Sequence, residues 1–142
     1  MRAHTARRLA WIVFALSMGV LALAFVLAFL TPIPSGEVAI VVLFPIFLIG
    51  AASVGAVIAA RQPGNPLGWI FLVVSLAFGV SALANSYALY VAQEGLAVTA
   101  TARVADWLGA WLVTPALFVS ATFVFLLFPN GRLPSPRWRF LA

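Results

Sequence analysis

The chain contains no cysteine, no lysine and a single histidine, His4. Without cysteine there is no disulfide frame, no thiol nucleophile and no thiolate metal site. The acids number three, Glu37, Glu94 and Asp106, and no pair of His, Asp or Glu has the spacing of metal ligands. Metal and cofactor binding are therefore not expected. Serine and threonine occur in apolar stretches (Ser17, Ser53, Ser75, Ser81, Thr114, Ser120, Thr122), but no base accompanies them. Their expected partners are carbonyls of their own or a neighbouring helix. No phosphate-cradling or dinucleotide-type glycine motif is present. No carboxylate falls within an apolar run, which argues against proton-coupled transport and acid–base catalysis. No catalytic residue is expected, and the chain does not read as an enzyme.

What is present is apolar length. The chain is 65% hydrophobic and 8% charged, too apolar for a soluble domain of 142 residues. Four runs free of charge, 9–30, 38–60, 67–91 and 107–128, each reach the roughly 20 residues that cross a bilayer's hydrocarbon core. In lipid the backbone must satisfy its own hydrogen bonds, which leaves helices or closed barrels, and uninterrupted runs exclude the alternation of barrel strands. The expected fold is an all-α integral membrane protein, a four-helix transmembrane bundle with helices at about 9–30, 38–60, 67–91 and 104–128. Residues 129–142 read as a juxtamembrane segment of the same single module.

The charges are sorted by sign. Arg2, Arg7, Arg8, Arg61, Arg132, Arg137 and Arg139 fall on one side of the runs, and Arg103 with all three acids falls on the other. Short-loop arginines stay inside, so both termini are expected in the cytoplasm of a cell whose inner membrane holds the protein. The net charge of +5 does not point to nucleic acid, because the arginines are dispersed along membrane borders rather than gathered on one face. The lipid bilayer is the simpler partner. The basic start could belong to a signal peptide, but Ala22-Leu-Ala24, which resembles a cleavage site, lies inside a run longer than the usual apolar core of about 7–15 residues.

Local signals specify the connections. The first outer turn carries Pro32, Pro34 and Gly36. In the next, Arg61 meets the dipole at a helix C-terminus, Pro63 and Gly64 stop that helix, Asn65 caps the third and Pro66 suits its first position. Trp69 follows one turn in, at headgroup level, so the second and third helices form an antiparallel hairpin. In the stretch before the fourth run, Arg103 could stack on Trp107, and the plainer alternative is an interfacial belt with Trp111. Ala51, Gly55 and Ala59, and equally Ala52, Ala56 and Ala60, form ridges that let helices approach closely, as do Ser75 and Gly79.

Pro45 and Pro115 each remove a backbone donor within a run. Asn85, Ser86, Tyr87 and Tyr90 lie toward the outer end of the third helix, Asn85 about 28 Å along from Pro66. Pro45, Asn85, Ser86, Tyr87 and Pro115 thus share the outer half, and could form a crevice for a lipid-soluble or periplasmic signal. The plainer alternative is that the prolines shape the bundle and the tyrosines sit at the interface.

The sequence ends distinctively. Pro129 and Asn130 suit the centre of a turn followed by Gly131 and Arg132, Pro134 and Pro136 enforce an extended path, and Arg137, Trp138 and Arg139 form an interfacial anchor. Phe140-Leu-Ala142 reads like the start of another apolar helix, so the chain is expected to be a truncated form of something longer. Arg61-Gln-Pro-Gly-Asn-Pro-Leu-Gly-Trp-Ile-Phe71 resembles the R-x-P-x-N-P-x-G-W-L hairpin in the N-terminal membrane region of many bacterial sensor histidine kinases. Leu126-Leu-Phe-Pro-Asn-Gly-Arg-Leu-Pro-Ser-Pro-Arg-Trp-Arg139 resembles that region's L-F-P-D-G-R-L-P-S-x-R-W-R segment, with Asn130 in place of the more usual Asp. Exclusive use of arginine agrees with a GC-rich bacterial genome. The resemblance implies the membrane anchor and signal input of a two-component system, without the kinase core, and it alone implies a homodimer or association with further membrane helices of the same receptor. The alternatives are a stand-alone small membrane protein acting as a partner subunit or assembly factor, and, less favoured, a small transporter.

Overall fold

The computed structural model describes residues 3–31, 36, 38–95 and 99–127. They form four helices: α1 (Ala3–Leu30), α2 (Val38–Arg61), α3 (Pro66–Gln93) and α4 (Ala100–Leu127). All four are long and apolar enough to cross a membrane. At 1.5 Å per residue, 28 residues reach about 42 Å, more than a hydrocarbon core of about 30 Å. Three boundaries extend two or more residues past the apolar runs. α1 begins within the basic start, α3 continues to Gln93, and α4 begins at Ala100. The last has a local cause: the Ala102 N–H donates to Thr99 Oγ1 at 3.2 Å, so Thr99 caps α4 ahead of Arg103. α3 ends as glycine allows, with Gly95 at φ +64° just past its last turn.

The turn between α2 and α3 forms as its residues require. Asn65 Oδ1 accepts the Leu67 N–H at 3.1 Å, Pro66 occupies the first helical position, and the Asn65 N–H donates to the Gln62 carbonyl at 2.9 Å. Arg61 ends α2, exposed. Trp69 adds a bond that the sequence did not announce: its Nε1–H donates to the Pro63 carbonyl at 3.1 Å, tying the first turn of α3 back over the loop.

Helix α3 is the hub. It packs against α1, α2 and α4, α1 also packs against α2, and α4 contacts no helix but α3 among the described residues. The contrast is large: 44% of the apolar window of α3 is buried, against 11% for α4. The buried positions are mostly small. Ala6, Ala10, Ser17 and Ala24 face inward from α1, and Ala52, Gly55, Ala56 and Ala59 from α2. The exposed positions include large apolar side chains such as Ile12, Ile40, Phe47 and Phe118. Small residues within and large apolar ones without is the arrangement that suits lipid, where close backbone approach, not hydrophobic burial, holds helices together.

Closest approach occurs near the Arg61 end. A Cβ added at Gly68 would lie 2.5 Å from the Ala59 nitrogen, and one at Gly55 would lie 2.8 Å from Phe71 Cβ and 3.0 Å from the Gly68 carbonyl oxygen. Each of these two glycines is thus required by the backbone of the opposing helix. Three serine hydroxyls bond within their own helix: Ser17 donates to Val13, Ser53 to Ile49 and Ser120 to Ala116. Ser75 Oγ is buried with no partner among the described residues.

Candidate ligand cleft

The opposite end of the bundle is open. A cleft of about 510 Å³ lies among α1, α2 and α3, with one residue, Val113, from α4. Its back wall is a single face of α3: Phe78, Ser81, Ala82, Asn85, Ser86, Leu89 and Gln93 recur at three- and four-residue intervals. From α1 come Leu21, Ala24, Phe25 and Ala28, with Thr31 just past its end, and from α2 Ile40, Val41, Phe44 and Pro45. Aromatic bulk replaces the small residues of the other end. The exposed Phe44 meets Phe78 edge to face at 5.5 Å and 83°, and Phe78 shares a buried cluster with Leu21, Leu48 and Ala116.

The polar groups along this wall fall into two sets. The Thr31 hydroxyl donates to the Ala28 carbonyl at 3.0 Å, and the Ser81 hydroxyl donates to the Gly109 carbonyl on α4. The side chains of Asn85, Ser86 and Gln93 make no hydrogen bond within the protein among the described residues. Pro45 adds to this second set indirectly. It has no N–H to offer the Val41 carbonyl one turn back, and both residues line the cleft. Among the described residues, no charged one lines it. Glu94, Arg103 and Asp106 lie at the same end of the bundle and are exposed.

The wall of the cleft is also the seat of α4. A Cβ at Gly109 would lie 3.2 Å from both the Asn85 nitrogen and the Ser81 carbonyl oxygen, so α4 rests there on the backbone of α3. The Ser81–Gly109 hydrogen bond fastens the same point. Ser81 and Asn85 therefore belong to two structures at once, the cleft and the α3–α4 contact.

Of the five residues expected to form a crevice, Pro45, Asn85 and Ser86 do line one, and Tyr87 and Pro115 do not. Tyr87 is two residues beyond Asn85, about 200° around the helix, and points away from this wall. Pro115 is exposed on α4, whose only share of the cleft among the described residues is Val113. Trp107 stacks on Trp111, with centroids 5.8 Å apart and planes at 23°. Of the two alternatives for Trp107, a pairing with Trp111 is the one seen, and Arg103, four residues earlier, is exposed. Pro129, Gly131, Arg132, Arg137, Trp138 and Arg139 lie outside the described residues. No cluster of three potential metal-binding side chains occurs among the described residues.

No family model matches the chain, and neither the curated proteins nor the solved structures include a match to it. The reading of function therefore rests on the residues and their geometry.

Proposed function

We infer that this chain is a multi-pass membrane anchor and signal-input module of the kind carried by bacterial sensor histidine kinases. It resides in the inner membrane with both termini in the cytoplasm. Four apolar helices, arginines sorted to one side and the two motifs at 61–71 and 126–139 support this reading. The observation that carries it is the shared use of Ser81 and Asn85. Whatever occupies the cleft touches the residues on which α4 is seated, and α4 leads into the arginine-rich segment that would join an output domain. A two-position element biased by a ligand is what a signal input requires.

Two measurements test it. The absence of native cysteine makes single-cysteine labelling clean. Gly64→Cys should be shielded from a membrane-impermeant maleimide in intact cells, and Gly95→Cys should react; the reverse pattern overturns the orientation. For the input role, a cytoplasmic kinase core is fused in frame after Ala142 and phosphorylation of its regulator is followed. Gly109→Leu, which unseats α4, should change output by about fivefold or more, the size of an ordinary coupling between sites. Unchanged output at equal membrane abundance overturns the input reading.

A further inference from the structure

We propose that the cleft binds an uncharged single-chain amphiphile from the outer leaflet, apolar chain toward Phe44 and Phe78 and polar head at Asn85, Ser86 and Gln93. The assignment rests on reading the cleft as the input site, and it is carried by size, polarity and charge. A volume of about 510 Å³ lies within the usual range for small-molecule sites, about 300–1,000 Å³. It has room for one long chain and too little for both chains of a phospholipid.

Polarity is graded along α3. Phe78 stands deepest, Asn85 and Ser86 two turns further, and Gln93 at the helix end. An amphiphile in the outer leaflet has the same gradient, with its chain toward the midplane and its head toward water. Asn85 and Gln93 each offer a carbonyl acceptor and an NH₂ donor, and Ser86 offers a hydroxyl that does both. None is engaged within the described protein, and an amide in hydrocarbon without a partner is costly. A head that both donates and accepts, such as a glycerol or another polyol, satisfies them. Charge then narrows the class. With no cation lining the cleft among the described residues, a carboxylate or phosphate head would lose hydration and gain no counter-charge. The outer side of the chain carries three acids against Arg103, which further disfavours an anion.

The test uses the full chain in phosphatidylcholine vesicles containing a trace of monoacylglycerol with a diazirine at mid-chain. Irradiation should place the label on α1 and α2 residues of the cleft, around Ala24–Ala28 and Ile40–Phe44. Excess unlabelled monoacylglycerol should displace it, and palmitate at the same mole fraction should not. Ala82→Phe, which fills the wall, and Asn85→Leu, which removes the amide and keeps the Cβ, should each lower specific labelling about tenfold. Asn85 is exposed, so its variant keeps the test valid if Ala82→Phe disturbs folding. Label spread evenly over lipid-facing residues such as Ile12, Phe47 and Phe118, equal competition by palmitate, or full labelling of Asn85→Leu would each overturn the assignment. Labelling needs no kinase output, so the two readings fail separately. Site-specific labelling with a silent fusion removes the input role alone, and a responsive fusion without site-specific labelling removes the ligand class alone.

Discussion

The two ends of this bundle are built on opposite plans. At the Arg61 end, α2 and α3 are joined by a capped turn of four residues and packed backbone against backbone, with glycine or alanine at Gly55, Ala59 and Gly68. At the Gln93 end, aromatic rings stand between the same two helices and three polar side chains make no hydrogen bond among the described residues. One sequence thus makes a rigid hinge and an open cleft on the same helix. The difference teaches where the protein can change: α3 is fixed at its start, and whatever moves must do so against its second half.

The largest effect that would break this contrast is expected at Gly68. Gly68→Leu places a side chain where a Cβ alone would sit 2.5 Å from the Ala59 nitrogen, and backbone cannot yield as a flexible side chain can. Overpacking of this kind costs about 3 kcal/mol or more, and here it should pry α2 from α3. A chemical unfolding titration in mixed micelles, followed by tryptophan fluorescence, reads it directly. A loss below about 1 kcal/mol would mean that the seam is not tight.

Gly109→Val should come next. The added Cβ would meet the Asn85 nitrogen and Ser81 carbonyl at 3.2 Å, tight but open to relief by a small outward shift of α4. Because α4 contacts only α3 among the described residues, that shift disturbs little else, and a loss of about 1–2 kcal/mol is expected. A cross-link between cysteines on α3 and α4 should slow in this variant, and one between α2 and α3 should not. Asn65→Ala removes the cap of α3 and should cost about 1 kcal/mol in the same titration. The loss should be local, with exchange of the Leu67 amide accelerated most.

How much of this was legible in the sequence depends on whether the signal was local. The turn at Asn65 and Pro66 could be read because capping is decided within a few residues. So could the four apolar runs, since length and charge set them. Contacts between helices were half legible. Two small-residue ridges were visible on α2, and the buried stripe takes Ala52, Gly55, Ala56 and Ala59 from both, leaving Ala51 and Ala60 half-buried. A strict four-residue spacing drifts around a helix of 3.6 residues per turn, so the contact face crosses from one ridge to the other. Gly68 bears no local sign of its role, because its partner backbone is on α2. The cleft was approached through residue type and depth, which found Pro45, Asn85 and Ser86. Helical phase would have replaced Tyr87 by Gln93, eight residues beyond Asn85 on the same face. Pro115 could not be sorted this way. Which face of α4 meets α3 is set by Gly109 against the Asn85 backbone, a contact between segments with no local sign.

The smallest expected effects separate the two ends most sharply. Ala82→Phe adds more volume than many changes that would disrupt the Gly68 seam, yet it points into an open cleft and should alter stability by no more than about 0.5 kcal/mol. Asn85→Leu should go further and raise stability. The amide makes no hydrogen bond among the described residues, leucine is the better helix former by about 0.5 kcal/mol, and the Cβ against Gly109 is retained. A polar side chain that serves the fold loses stability when replaced by an apolar one, because its partner is left unmatched. One that serves a ligand does not, and its loss appears only when the ligand is supplied. Measured without amphiphile, Asn85→Leu should therefore melt at or above the parent temperature. A drop of more than about 1 kcal/mol would mean that Asn85 holds the bundle together, and the contrast between a closed seam and a receptive cleft would fail at its central residue.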